Sequence, residues 1–122
     1  MVMVKHFTEL AVWEKADQFA HQVFSLTDTF PRKYLFDLTS QLRRAALSVP
    51  ANIVEGCASV HTKELLQGIN VARRSVRETQ YLLRFALGRE LMSVPQYEML
   101  TAGYEEVHRM LNGLTRSLRT SE

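Results

Sequence analysis

The chain has 122 residues, of which 46% are hydrophobic and 23% charged, and its formal net charge is +2. That length suits one domain, residues 1–122, around one core, and the composition excludes a disordered or collagen-like chain. A balance this close to neutral does not mark a nucleic-acid binder, so where the charge sits carries more information than its sum.

The start, residues 1–7, lacks the apolar stretch of a signal peptide, and no apolar run approaches the roughly 18–20 residues that span a bilayer. A cytoplasmic location without membrane contact is expected. Cys57 is the single cysteine, which rules out an internal disulfide, and a small apolar filler is its expected role.

Four amphipathic segments follow in order. Over residues 10–29, Trp13, Ala16, Ala20, Val23, Thr27 and Phe30 alternate three and four apart and line one helix face. Phe30-Pro31 ends that helix, because proline disfavours a helical residue before it. A second seam runs through Leu35, Leu38, Leu42, Ala45 and Val49, and resumes at Ile53 after Pro50. Pro50 removes an N–H from the helix and crowds the turn before it, at about 3 kcal/mol. Helix two is therefore expected to kink or break at Pro50, with Ser48 and Asn52 absorbing the cost. Gly56 is placed at its end.

Thr62 is the expected cap of helix three, with Glu64 in its first turn. The third seam comprises Leu65, Ile69, Ala72, Val76, Thr79, Leu83 and Ala86, with a second stripe of Gly68, Val71, Ser75, Glu78, Leu82 and Phe85 beside it. So broad a face implies more than one packing partner. It also makes Glu78 a candidate buried carboxylate, for which Arg43 or Arg44 is the expected cation. Ser93-x-x-Gln96 is a capping box with Pro95 in the first turn of helix four, whose seam is Tyr97, Leu100, Tyr104, Val107, Leu111, Leu114 and Leu118. No strand pattern, linker or repeat competes. Four helices with short loops predict an all-α, antiparallel up-down-up-down four-helix bundle.

The chemistry is sparse. A di-iron bundle needs two Glu-x-x-His pairs, and Glu105-x-x-His108 is the only one. His6, His21 and His61 stand outside any ligand spacing, and no histidine meets the arginine-before-histidine spacing of small helical ribonucleases. Phosphate-binding glycine loops, Gly-x-Ser-x-Gly elbows and Cys-x-x-Cys pairs are absent, and Cys57 near His61 lacks a third orienting group. The expectation is a non-enzyme with no metal or cofactor.

What remains is arginine. On helix three Asn70, Arg73, Arg77, Gln80 and Arg84 form a polar row spanning roughly 20 Å, and on helix four Arg109, Asn112, Arg116 and Arg119 form another. Such rows either track phosphates or make a solvated face paired to glutamates, and the pattern leaves both open. Tyr81 lies near the first row and could stack on a base.

Leu10, Val12, Trp13 and Ala16, the exit Phe30-Pro31, Leu38 and the run Gln41-Leu42-Arg43-Arg44-Ala45-Ala46 carry a likeness. Ser48, Pro50, Asn52-Ile53, Glu55-Gly56, and then Ala72, Ser75 and Glu78 extend it. Over nearly its whole length the chain resembles the 23S rRNA intervening-sequence protein family of bacterial four-helix-bundle proteins. Arg74 stands where the family pattern has glycine, and no basic residue follows Gly56 within three positions.

The resemblance implies a ring-shaped homopentamer. It also implies distant kinship with accessory proteins of diversity-generating retroelements, which pair with a reverse transcriptase and bind nucleic acid through basic surfaces. The candidate nucleic-acid contacts are accordingly Arg73, Arg77, Arg84, Arg109, Arg116, Arg119, Arg43 and Arg44. Pro50, Asn52, Glu55, Gly56, Ser75 and Glu78 are assigned architectural roles. The expected partners are further copies of the chain, RNA or DNA, and a nucleic-acid-processing protein. The alternative is an interaction scaffold with no nucleic-acid contact.

Overall fold

Burial of the four apolar seams builds the molecule, which the computed structural model describes over residues 6–120. Most of the segment read for a signal peptide, and both ends of the 1–122 domain, lie outside those residues. Four helices make up the fold: α1 (Ala11–Thr27), α2 (Ser40–Cys57), α3 (Thr62–Gly88) and α4 (Val94–Thr120). The described residues contain no strand.

All seven residues of the third seam are buried, as are Ala16, Ala20, Val23 and Thr27 of the first. Its buried threonines satisfy themselves within their helices. Thr27 Oγ1 donates to the Val23 carbonyl (2.9 Å) and Thr79 Oγ1 to that of Ser75 (2.7 Å), so neither adds an unpaired group to the core.

Helix two is not broken at Pro50, and it carries an irregularity ahead of the proline that the seam did not signal. A 3-10 turn (Arg32–Tyr34) and a π turn (Leu35–Thr39) lead directly into α2, which then runs through Pro50 without interruption. A π turn has more residues per revolution than an α turn, so the seam changes phase there and Leu35 leaves the core while Leu38 stays in it. Around Pro50, the Asn52 side-chain amide donates to the Ser48 carbonyl (2.8 Å) and hydroxyl (2.9 Å). The pair brace the turn after the proline instead of serving the Ala46 carbonyl that it orphans.

Gly56 is not a left-handed helix stop, since no glycine has positive φ. It is buried one residue before the end of α2, facing Gly68 of α3. A Cβ on Gly68 would lie 2.5 Å from the Asn52 carbonyl oxygen and 3.1 Å from the Gly56 Cα. The two backbones therefore touch. Beyond this contact Ser48 and Ser75 hydroxyls meet at 2.8 Å. The pairs 56/65, 52/68 and 48/75 run in opposite senses along α2 and α3, as do 73/112, 77/105 and 80/101 along α3 and α4. Between α1 and α4, Phe19 lies over Gly103, where a Cβ would overlap its ring, and 5.5 Å from the Tyr104 ring.

Three local expectations meet different outcomes. Thr62 is the first helical residue of α3, so the cap position falls to His61, which makes no side-chain cap bond. The capping box at α4 is complete: Gln96 N donates to Ser93 Oγ (3.2 Å) and Ser93 N to Gln96 Oε1 (2.9 Å). Glu78 is exposed rather than buried, because its stripe rotates out of the core between Ser75 and Leu82.

The end of α3 has the paired bonds of a Schellman motif, with Leu91 N donating to the Ala86 carbonyl and Glu90 N to that of Leu87. Glu90 occupies the left-handed position at φ 61°, where glycine is the unstrained residue. Replacing Gly68 by alanine should cost about 1–3 kcal/mol in urea unfolding, the usual scale of overpacking. Glu90→Gly should instead raise stability by about 0.5–1 kcal/mol, relief of strain outweighing the added freedom of the unfolded chain.

Candidate nucleic-acid interface

The arginine row of α3 faces α4, and two of its three arginines, Arg73 and Arg77, are taken up there. Arg73 donates to Asn112 Oδ1 on α4 and to Asn70 Oδ1 on its own helix, both at 3.1 Å. Arg77 donates to Glu105 Oε1 (2.7 Å) and Gln80 Oε1 (2.7 Å), and reaches His108 Nδ1 at 3.4 Å. Gln80 crosses to the Thr101 carbonyl (3.1 Å) and Glu105 (3.2 Å). Asn112 returns to His108 Nδ1 at 3.3 Å. These bonds make a continuous polar ladder along the α3–α4 seam. The Glu105-x-x-His108 spacing on α4 puts both side chains around one guanidinium.

The ladder sets two protonation states. Hydrogen bonds from Arg77 and then Gln80 hold the Glu105 carboxyl down, from the usual value near 4.5 to about 2. Burial, followed by the Arg77 charge, lowers the pKa of His108. Two donors aimed at Nδ1 need its lone pair, so both geometry and charge favour the neutral ring.

The other candidate arginines divide in the same way. Arg109 pairs with Glu106 on its own helix. Arg43 donates to Thr27 Oγ1 (2.8 Å) and Asp28 Oδ1 (2.7 Å) and lies 5.1 Å from the Phe24 ring centroid. Its carboxylate partner is thus Asp28 rather than Glu78. Among the described residues, exposed Arg44, Arg84, Arg116 and Arg119 have no carboxylate within ion-pair distance, nor has Arg74. Arg44 and Glu78 line one polar cleft between α2 and α3 without forming an ion pair. Glu55 is exposed on α2. Cys57 is half-buried, and burial pushes its thiol pKa up, which suits a packing role better than a nucleophile.

Two surface features escaped the sequence patterns. The first is an aromatic cleft of about 440 Å³ between the start of helix two and the end of α3, lined by Tyr34, Asp37, Gln41, Tyr81, Phe85 and Arg89 among others. Arg89 Nε and Nη2 both donate to Tyr34 Oη at 3.2 Å, joining residues 55 positions apart. The second is an apolar patch of Phe24, Leu35, Phe36 and Leu47, with Phe36 91% exposed. The π turn places Leu35 and Phe36 there, and no regular helical period would have signalled it.

The family model for 23S rRNA-intervening sequence proteins matches residues 8–113. Among solved structures, the fold is similar to that of a protein with unknown function from the S23 ribosomal protein family of Bacteroides thetaiotaomicron. That likeness has 24% sequence identity and a TM-score of 0.80, covering 86% of this chain and 95% of that one. No curated protein matches the chain.

Both shifts in the ladder have the same sign. Each group binds a proton more weakly in the folded than in the unfolded chain, so stability falls as pH drops. His108 contributes above its unfolded value near 6.5 and loses that contribution below it. Glu105 contributes above about 4.5 and loses its share as the pH falls to about 2. Glu105→Gln should abolish the lower step and His108→Gln flatten the upper one. The Glu105 step should be only about 0.5–1 kcal/mol in unfolding measured from pH 8 to pH 2, because the partly exposed Arg77–Glu105 pair is screened by water.

Proposed function

The chain belongs to the family of 23S rRNA-intervening sequence proteins, and we propose that it is a non-enzymatic, self-associating helical bundle that binds RNA or DNA. One observation carries this reading: exposed arginines without a carboxylate partner among the described residues extend over α3 and α4, outside the ladder. Arg74 and Arg84 lie on α3. Arg116 follows Asn112, the partner of Arg73, by one turn of α4, which puts Arg84 and Arg116 roughly 20 Å apart along the seam. Guanidinium groups free of carboxylates are those able to bind phosphate in the two-pronged geometry it favours.

Self-association is supported by a different feature. Phe36, Leu47, Leu35 and Phe24 expose apolar surface in one neighbourhood, a concentration that marks a protein contact in soluble proteins. Further copies of the chain are the proposed occupants, in a ring as the family likeness implies. The same patch is what favours an interaction scaffold as the second reading. A nucleic-acid-processing protein is the partner class that the first reading implies, and the proposed location is cytoplasmic. No helix among the described residues is long and apolar enough to cross a membrane.

Titrating salt against binding of structured RNA and of DNA separates the two readings. The arginine surface predicts that affinity falls steeply with salt, and that each contributing arginine changed to alanine removes a little under one unit from the log–log slope. Arg84→Ala and Arg116→Ala should each do so, whereas Arg109→Ala, already neutralised by Glu106, should change it little. Salt-independent or absent binding would leave the scaffold reading in possession.

A further inference from the structure

We infer that the groove between α2 and α3 receives an unpaired base of a single-stranded segment, stacked on Tyr81 and Phe85, with its flanking phosphates held by arginine. The inference rests on the nucleic-acid reading above and assigns it a site apart from the α3–α4 rows.

The groove follows from the helix geometry. The α2 and α3 backbones touch at Gly56 and Gly68, and toward the start of helix two a gap opens that side chains line without filling. It consists of the aromatic cleft of about 440 Å³ and the polar cleft around Arg44, Ser48 and Glu78, with Gln41 lining both. The aromatic part is within the roughly 300–1,000 Å³ of small-molecule sites. From Leu38 to Ser48 the groove runs about 15 Å along the helix.

Its chemistry selects the occupant. Tyr81 is 61% and Phe85 46% exposed, and their rings lie 6.5 Å apart, offering two adjacent π faces. Apolar rings left open to water beside arginines suit a ligand that is flat, polarisable and anionic at its edges, which describes a nucleotide.

At the aromatic end the Arg89 guanidinium is held by Tyr34 Oη, which uses its Nε–H and one Nη2–H and leaves three N–H donors for a phosphate. Arg74 is exposed two turns before Tyr81 on the same helix. Arg44 guards the polar end.

Two arginines, Arg89 and Arg44, thus line the groove alongside two carboxylates, Asp37 and Glu78. One of these, Asp37, already accepts from Leu38 N through Oδ1, leaving Oδ2 able to accept from a base amino group. A duplex keeps its bases stacked on one another and cannot present one to this cleft, so the geometry discriminates for single strands.

The test is fluorescence anisotropy with a labelled, unstructured single-stranded oligonucleotide and with the duplex of the same sequence, at matched salt. The full chain should bind the single strand at least tenfold tighter. Changing Tyr81 and Phe85 together to alanine, both exposed and so compatible with folding by thermal melting, should weaken single-strand binding by about tenfold or more with no change in salt slope or in duplex binding. Arg89→Ala should weaken single-strand binding and lower its slope.

Equal affinity for duplex and single strand, or an unaltered Tyr81/Phe85 variant, would overturn the groove assignment while leaving the arginine surface intact. Binding to neither nucleic acid would remove both. A variant whose oligomeric mass changes in light scattering while its oligonucleotide affinity does not would assign the cleft to a subunit contact and sink the inference.

Discussion

The close approach of α2 and α3 at Gly56 and Gly68 is the constraint on which the other features depend. Helices with ordinary side chains pack with axes about 8–10 Å apart, and a glycine facing a glycine lets the backbones meet instead. The Ser48–Ser75 hydroxyl pair and the Asn52 amide sit just beyond that contact, so small polar groups continue the interface where larger apolar ones would force the helices apart. With its register and rotation fixed this way, α3 presents one stripe to α4, another to α2 and a third to solvent. The family signature around Pro50 and Gly56 is therefore a packing device before it is anything else.

Rotation of α3 then decides which arginines are spent. Those turned toward α4 enter the ladder with Glu105, His108 and Asn112. Each such bond adds little stability at a partly exposed site, but a chain of them specifies one register of α3 against α4 over its neighbours. Those turned outward meet no carboxylate among the described residues. A single helical row thus serves two purposes, and the boundary between them falls within the row.

Some local conflicts persist within this frame. Tyr104 and Thr39 bury hydroxyls that have no protein hydrogen-bond partner among the described residues, a penalty of about 1–3 kcal/mol each where no other partner is found. Burial pushes the Tyr104 pKa upward, as expected of a phenol that cannot ionise in the core. Its ring nevertheless packs against Phe19 over Gly103, and that aromatic contact offsets part of the cost. Thr39 closes the π turn, the same irregularity that turns Leu35 and Phe36 outward. The apolar patch and the orphaned hydroxyl thus share one backbone origin.

Helices, seams and the Ser93–Gln96 capping box were legible in the sequence, because helical period and capping are set by residues within a few positions of one another. So was family membership, carried by the run from Gln41 to Gly56. The π turn was not legible, since a phase shift in Leu35, Phe36 and Leu38 resembles a slightly imperfect seam.

The partners of the arginines were not legible either. Sequence pattern offered Glu78 to Arg43, whereas the fold brings Asp28 to it, and Arg73 meets an asparagine 39 positions away. The sequence by itself determined an all-α chain of four helices and the face each one buries. Only the tertiary structure decided which charges are neutralised, where the groove opens and which rings face water. The reason is physical: long charged side chains gain no more than about 1 kcal/mol from an exposed partner, too little to impose a sequence pattern, so the register of neighbouring helices makes the choice for them.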